Sequence, residues 1–286
     1  MSRITVAAIQ LNGQPGAEDN LRLLEPLLAA AREAGATMAV LPENLLCMGQ
    51  RDGDKFEAAD RAPDWHWRDR VLALGARHGL GLVAGSLYCH PDPAQTERVL
   101  ARCWLSDRGG AIAGHYDKRH LFDVEAASGE SYHESRTIAP GDNPPIVLSC
   151  EQLRWGLSIC YDLRFAEHYL ALALAGAQII TVPAAFTHTT GQAHWEPLLR
   201  ARAIETQCFV IAANQCGRHA SGRQTWGHSM IIDPWGRVLA QAGHEPGIIT
   251  AELDLGQQRE LQQRFPVHSH RRPTELTGAQ DSAGAP

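Results

Sequence analysis

The sequence lacks the features that would place the protein in a membrane or on nucleic acid. No apolar run approaches the roughly 20 residues that a membrane-spanning helix needs. The formal net charge is −6, which argues against nucleic acid or an anionic membrane surface as the main partner. The first residues, MSRITVAAIQLNGQ, have neither the long apolar segment nor the small-residue cleavage site of a signal peptide. We interpret them as a first β-strand and expect a cytoplasmic protein.

The cysteines give no sign of a disulfide framework or of a structural metal site. Their number is odd, they are dispersed, and no two of them form a CxxC pair. The HSH segment at 268–270 is a weak metal signal because no further ligands are suitably spaced. We therefore expect buried free thiols, no metal and no organic cofactor. The seven cysteines are at positions 47, 89, 103, 150, 160, 208 and 216.

The first third of the chain alternates between strand and helix patterns, which is typical of a layered α/β fold. Pro26 falls inside the first helical pattern and predicts a break or a late start there, because proline removes a backbone donor. The predicted elements are strand 4–11, helix 17–36, strand 37–43, helix 65–80 and strand 81–89.

The rest of the chain adds more strands. Residues 98–118 predict two strands around a Gly-Gly turn, and 118–145 predict a loop rich in charge, glycine and proline. We expect one domain at 1–273, with two sheets covered by helices, and a disordered tail at 274–286. A two-domain α/β protein is the alternative. The later predicted elements are strand 178–186, helix 194–207, buried strand 208–217, hairpin 227–242, strand 247–255 and a short helix from about 256 to 264.

Three reactive side chains follow predicted strands. They are Glu43 in LPEN, Lys118 in HYDKRHLFD and Cys160 in ICYD. Strand ends are where α/β folds gather functional groups from distant parts of the chain. Each residue also has an ordinary interpretation. Glu43 would cap a helix or face solvent, Lys118 would be solvated, and Cys160 would be a core thiol.

Together the three side chains would support acyl transfer from an amide. Glu43 would accept the thiol proton of Cys160 as a general base. A helix beginning just after Cys160 would favour the thiolate. Lys118 and the backbone N–H of Tyr161 would stabilise the negative charge of a tetrahedral intermediate. This chemistry needs no histidine.

The stretches LPEN, YDKRHLFD and CYDLRF, in this order, resemble the carbon–nitrogen hydrolase (nitrilase) superfamily. The resemblance extends over about residues 3–273 and includes ITVAAIQL, ESRTIAPGD and GHSMIIDPWG. It implies a four-layer αββα sandwich in a single carbon–nitrogen hydrolase domain. Such domains usually pair into a longer αββααββα sandwich, so we expect a homodimer or a higher homo-oligomer.

The resemblance also implies roles for individual residues. Glu43 would be the base, Lys118 the stabiliser of the intermediate and Cys160 the nucleophile. Glu134, in YHES, matches a second pocket glutamate of the family and would orient Lys118 or the attacking water. A carboxylate on a surface loop is the alternative for Glu134. Ala166 stands where relatives usually have proline, which leaves the first turn of the following helix less constrained.

The stretches AHWEPLLRARAIETQCFVIAANQCGRH and PVHSHRRP most resemble the branch that cleaves deaminated glutathione to 2-oxoglutarate and cysteinylglycine. The implied substrate is a small-molecule amide that carries a 2-oxo acid. Arg164, four residues after Cys160, is predicted to lie one helical turn further on and to bind the carboxylate. A structural ion pair is the alternative for Arg164.

Further pocket candidates follow the next predicted strand end: Phe186, Thr187, His194 and Trp195. His194 would otherwise cap a helix, and Trp195 would be core. Rival functions are an ω-amidase acting on 2-oxoglutaramate or 2-oxosuccinamate, and another aliphatic or N-carbamoyl amidase. A non-catalytic binding protein on the same fold is a remote alternative from a different class.

Overall fold

The computed structural model describes residues 3–51, 53–90, 92, 97–125 and 131–272. The predicted tail at 274–286 lies outside them. The helices are α1 Ala17–Glu33, α2 Asp54–Glu57, α3 His66–Arg77, α4 Ala166–Leu174, α5 His188–Thr206 and α6 Leu255–Arg264, with 3₁₀ turns at Glu134–Arg136 and Cys160–Arg164. The strands are β1 Arg3–Gln10, β2 Met38–Val40, β3 Asp60–Arg61, β4 Gly81–His90, β5 Leu100–Ser106, β6 Ile112–Asp117, β7 Asp123–Glu125, β8 Ser131–His133, β9 Val147–Cys150, β10 Leu153–Leu157, β11 Ile179–Ala184, β12 Phe209–Asn214, β13 Cys216–Arg218, β14 Gln224–Trp226, β15 Met230–Ile232, β16 Val238–Gln241 and β17 Gly247–Asp254.

The strands form two large mixed sheets. The first has the order β17-β1-β2-β4-β5-β6, with β3 beside β4. The second has the order β16-β15-β12-β11-β10-β9. Strands β1, β2 and β4 run parallel, as do β10, β11 and β12, and antiparallel strands flank them on both sides. Two small hairpins, β7-β8 and β13-β14, complete the topology.

The alternation of side chains along β1 shows how the layers are built. Val6 and Ala8 point into the core between the two sheets, whereas Ala7 and Ile9 pack in the cluster that includes α1 and α3. This is the two-residue period of a strand with both faces buried. Helices α4 and α5 cover the outer face of the second sheet, with Trp195 fully buried. The predicted αββα sandwich is confirmed.

Two helices differ from their predicted bounds. Helix α1 runs through Pro26 without a break. Pro26 is exposed, so the carbonyl that it leaves without a donor faces solvent, while Leu24 and Leu28 anchor the buried side of the helix. Helix α5 begins at His188, six residues before the predicted start at 194, with Thr187 at the N-cap position. His194 therefore lies inside the helix and does not cap it.

Two further predictions can be checked locally. The region predicted as loop at 118–145 contains the short hairpin β7-β8 and the 3₁₀ turn Glu134–Arg136. Helix α4 starts at Ala166 even though proline is absent there. Across the described ranges, no helix combines the length and the apolar composition that crossing a membrane requires.

A buried carboxylate shapes the turn that carries Cys160. Asp162 is fully buried, and its Oδ2 accepts hydrogen bonds from the Tyr116 hydroxyl (2.8 Å) and the Ile159 backbone N–H (2.8 Å). Its Oδ1 lies 2.6 Å from Nδ1 of His120 and accepts the backbone N–H of the same residue. Burial alone would raise the pKa of Asp162, but the hydrogen bond with His120 and the other donors lower it below its ordinary value. Asp162 thus ties the end of β6 to the turn at Cys160.

Replacing Asp162 with asparagine should lower the free energy of unfolding by about 3 kcal/mol at pH 7, because buried donors lose a charged acceptor. Urea denaturation measures this loss. Since the folded-state pKa of Asp162 is depressed, its stabilisation is fully present above the ordinary carboxyl pKa of about 4 and is lost as the pH falls through the folded-state value. The difference between wild type and Asp162→Asn should therefore shrink below about pH 4.

Asp233→Asn is the matched control. The Asp233 carboxylate also accepts two backbone N–H groups, from Trp235 (2.9 Å) and Arg237 (2.8 Å), but in a partly exposed turn. Asp233→Asn should lower the free energy of unfolding by less than about 1 kcal/mol, because water can replace the lost acceptor. Equal losses of unfolding free energy in the two variants would show that Asp162 stabilises the fold no more than the partly exposed Asp233 does.

Candidate active site

A cavity of about 240 Å³ opens where several strands of both sheets end. Glu43 follows β2, Lys118 follows β6, Cys160 follows β10 and Ala185 follows β11. The strand ends therefore meet at one place, as the sequence predicted. The cavity is lined by Glu43, Asn44, Lys55, Tyr88, Lys118, Phe122, Ser131, Tyr132, His133, Glu134, Arg136, Ile138, Cys160, Tyr161, Ala185, Phe186, Thr187, Thr190 and Arg223.

The segment that carries Glu43 is fixed by its main chain. The carbonyl oxygen of Glu43 accepts a hydrogen bond from Nε2 of Gln215 (2.9 Å), and the N–H of Asn44 donates to Oγ of Ser86 (3.0 Å). Gly85 allows this close approach, because a Cβ there would lie 2.0 Å from the carbonyl oxygen of Pro42. The Glu43 carboxylate is thus held by the second sheet and by β4, and it is only 2% exposed.

Lys118 is buried between two carboxylates. Its Nζ donates to Oε1 of Glu43 (2.7 Å) and lies 2.7 and 2.8 Å from the two carboxylate oxygens of Glu134. Burial alone would lower the pKa of Lys118, but the negative charges of Glu134 and Glu43 outweigh it and raise the pKa well above its ordinary value. The raised pKa keeps Lys118 as an ammonium in the lining of the cavity.

Glu134 opens the 3₁₀ turn Glu134–Arg136 and contacts Lys118 from the other side. Its Oε2 also accepts the backbone N–H of Phe122 (2.6 Å). This bond connects the residues just after Lys118 with the 3₁₀ turn, so the lysine is enclosed by its own loop. The structure therefore does not place Glu134 as an isolated surface carboxylate.

Cys160 begins its 3₁₀ turn in the left-handed backbone region, with a φ of 47°. This conformation is costly for a residue with a side chain and is held by the surrounding hydrogen bonds. The N–H of Ala185 donates to Oε2 of Glu43 (2.8 Å), which places the carboxylate and the strand end beside the sulfur.

The expected stabilisation of a thiolate at Cys160 is wrong for this structure. Burial, followed by the negative charge of Glu43, raises the pKa of the Cys160 thiol well above its ordinary value, and Lys118 offsets this only in part. The following element is a single 3₁₀ turn, not the start of an α-helix, so little dipole is available. The nucleophile candidate is a neutral thiol beside a carboxylate base.

The predicted substrate residues divide into two groups. Phe186 and Thr187 line the cavity, but Arg164, His194 and Trp195 are not among its lining residues. In a 3₁₀ turn, residues i and i+3 lie above one another, so a residue at i+4 points about a third of a turn away. Arg164 accordingly lies over the rings of Tyr161 (5.8 Å) and Phe186 (5.3 Å).

The other two residues have structural contacts. Nδ1 of His194 lies 3.3 Å from Nη1 of Arg164 in an exposed contact. Trp195 is fully buried and donates from Nε1 to the carbonyl oxygen of His228 (2.7 Å). Trp195 therefore serves the packing of α5, as its ordinary interpretation as core predicts, whereas His194 lies on the exposed side of the helix.

Several residues that line the cavity were not among the candidates predicted from the sequence. Tyr88 lies inside β4, where its hydroxyl donates to Oδ1 of Asn44 (2.7 Å). Arg223 lies in the turn between β13 and β14, and Tyr132 lies in β8. None of them follows the end of a predicted strand, which was the criterion for the predicted candidates. A cationic residue in a Gly-rich turn, as in SGRQ, is the weak signal that would have found Arg223.

One side-chain cluster in the described part of the chain has the spacing of metal ligands. It consists of His120, Asp162 and His168, whose donor atoms lie within 4.8 Å of one another. Both oxygens of Asp162 already accept hydrogen bonds from protein donors. Burial lowers the pKa of His168, and its Nε2 lies 3.1 Å from the carbonyl oxygen of Leu157. The cluster thus connects loops through hydrogen bonds.

Comparisons with known proteins agree with this geometry. The sequence model of the family described as carbon-nitrogen hydrolase matches residues 5–263. The human protein named deaminated glutathione amidase is 40% identical over 277 residues, covering 94% of this chain and 82% of its own. The crystal structure of the Caenorhabditis elegans NitFhit protein superposes with a TM-score of 0.85 at 37% identity, covering 95% of this chain and 66% of that longer one.

A third relative is informative about the site. A glutamate-to-glutamine mutant of an amidase from Nesterenkonia sp. AN1 has a TM-score of 0.77 and 28% identity, over 93% of this chain and 96% of that one. In that protein the acetamide moiety of fluoroacetamide is covalently attached to the active-site cysteine. On the match of its sequence over most of its length and of its fold, the chain belongs to the carbon–nitrogen hydrolase family, and it is a hydrolase of amide C–N bonds within the nitrilase superfamily.

Proposed function

We propose that this enzyme hydrolyses the amide of deaminated glutathione and releases 2-oxoglutarate and cysteinylglycine through a thioester on Cys160. The observation that carries the catalytic part is the buried ammonium of Lys118 between two carboxylates, beside a buried thiol. The choice of substrate is supported by the 40% identity to the human protein of that name.

In the proposed first step, the sulfur of Cys160 attacks the amide carbonyl carbon while Glu43 takes the thiol proton. The raised pKa of the thiol makes this base necessary, because little thiolate exists before substrate binds. The carbonyl π electrons move to oxygen, and the oxyanion is stabilised by Lys118 and by the backbone N–H of Tyr161. Both groups line the cavity next to Cys160.

The intermediate then collapses. Protonated Glu43 gives its proton to the leaving nitrogen, the C–N bond breaks, and cysteinylglycine departs with a neutral amine. The acyl group remains on Cys160 as a thioester. A water molecule, deprotonated by Glu43 and oriented with the help of Glu134, adds to the thioester carbonyl. Expulsion of the sulfur, which regains its proton from Glu43, releases 2-oxoglutarate.

We also propose a homodimer or higher homo-oligomer in the cytoplasm. Large apolar side chains are exposed on α4, on α5, in the turn between β15 and β16 and just after α6. Pairing of two sandwiches would cover them: Leu174, Ile204, Trp235 and Phe265. All seven cysteines are free thiols, which fits a reducing compartment.

The substrate proposal predicts a clear preference in a product assay. Wild-type enzyme should release cysteinylglycine from deaminated glutathione with a higher kcat/KM than it releases ammonia from 2-oxoglutaramate, at matched low concentrations. A reversed preference would move the enzyme to the ω-amidases and leave the thioester mechanism intact. Absence of turnover with any amide would contradict the proposed function.

Cys160→Ala should lower kcat by at least about 10³-fold, because no other group can form the acyl intermediate. Mass spectrometry of the wild type quenched during turnover should show the 2-oxoglutaryl adduct, and the variant should lack it. Cys208→Ala is the matched control, since Cys208 is also buried but donates its S–H to the carbonyl oxygen of Ala177, outside the cavity lining. Substantial turnover by Cys160→Ala would refute the mechanism.

Glu43→Gln should also abolish turnover, and it should lower the pKa of the Cys160 thiol, because an adjacent negative charge is removed. Ultraviolet absorbance of the thiolate, recorded against pH and corrected with Cys160→Ala, measures this shift. The thiolate of the variant should appear at a lower pH than that of the wild type. An unchanged or higher titration midpoint would mean that Glu43 does not act on the thiol.

A further inference from the structure

Arg223 lines the cavity, and its contacts restrain the side chain without using all of its N–H donors. It lies in the turn between β13 and β14. Its Nη2 donates to the carbonyl oxygen of Ala185 (2.6 Å), and its guanidinium lies 5.2 Å from the centre of the Tyr132 ring. Because hydrogen bonding and stacking restrain the side chain, little entropy is lost when it binds a further group.

Arg223, which is partly buried, differs from the buried arginines Arg102 and Arg202. Arg102 forms a two-point ion pair with Asp117 (2.6 and 2.8 Å), and Arg202 pairs with Glu205 (2.8 Å). Within the described residues, no carboxylate forms an ion pair with Arg223, and its buried Nε has no hydrogen-bond partner. A buried donor without a partner costs free energy, so the protein alone does not satisfy the whole guanidinium.

The charges around the reaction centre explain why a cation is needed there. The catalytic end of the cavity holds two carboxylates, Glu43 and Glu134, against one ammonium, Lys118. A negatively charged substrate would be repelled unless another cation receives it. Arg223 is close to this centre, because Ala185, whose carbonyl it binds, donates its own N–H to Glu43. Two other cations line the cavity. Arg136 is exposed, so its charge is screened by water, and Nζ of Lys55 donates to Oγ1 of Thr137 (2.9 Å).

We infer that Arg223 binds a carboxylate of the substrate, and that the enzyme selects amides carrying such a group. The inference rests on the proposed function, since it concerns the same cavity. The guanidinium presents two or more N–H donors in a plane, which matches the two oxygens of a carboxylate. In deaminated glutathione that carboxylate belongs either to the 2-oxoglutaryl part or to the terminal glycine.

The test compares acids with uncharged analogues in wild type and in Arg223→Gln. One pair is 2-oxoglutaramate and its methyl ester, which differ in the charge of the acyl part. The other is deaminated glutathione and its glycine carboxamide, which differ in the charge of the leaving part. Arg223→Gln should lower kcat/KM for the acid of one pair about 10- to 100-fold and leave its neutral analogue within about threefold. The affected pair identifies the carboxylate.

Arg218→Gln is the control, because Arg218 is an exposed arginine of the same hairpin. It should leave all four values of kcat/KM unchanged. If Arg223→Gln lowers the acid and the neutral analogue equally in both pairs, Arg223 only supports Ala185, and the inference is overturned while the amidase stands. If wild type hydrolyses none of the four compounds, the proposed function fails as well.

Discussion

The whole site depends on burying the ammonium of Lys118 between the carboxylates of Glu43 and Glu134. A charge taken out of water costs several kcal/mol unless its partners are in place, so this triad is stable only when all three groups converge. Glu43 comes from the end of one parallel strand, and its second oxygen is bound by the N–H of Ala185 in the other sheet. The two-sheet architecture is thus what allows the ion cluster to exist.

The same environment disfavours the reactive thiolate form of Cys160 before substrate binds. Cys160 is buried beside a carboxylate, and both conditions oppose ionisation of the thiol. Many cysteine enzymes instead hold a thiolate ready, which exposes the sulfur to oxidation and alkylation. In the proposed mechanism, sulfur and proton separate only when an acyl carbon is within reach of Cys160 and Glu43 can accept the proton. Burial of Cys160 beside Glu43 thus accounts both for protection of the thiol from oxidation and alkylation and for selectivity for substrate.

The positions of Glu43, Lys118 and Cys160 were predictable because each follows a predicted strand, and strand ends gather at a common edge in α/β folds. Arg164 was misplaced because the sequence does not reveal that a single 3₁₀ turn, with three residues per turn, follows Cys160. The direction of the thiol pKa was missed because burial is a property of the packed sheets, not of the local sequence. Arg223 comes from a short turn whose proximity to the cavity depends on how the β13-β14 hairpin packs on the second sheet.

The pairing of β17 with β1 has a consequence for how the protein is made. Arg3 and Asp254 are neighbours in the first sheet but are separated by 251 positions in the chain. On a ribosome adding about 5–20 residues per second, β1 emerges many seconds before the strand that covers its open side. An uncovered strand edge is a template for aggregation. Until β17 has been synthesised, one edge of β1 in the nascent chain therefore stays without its partner strand.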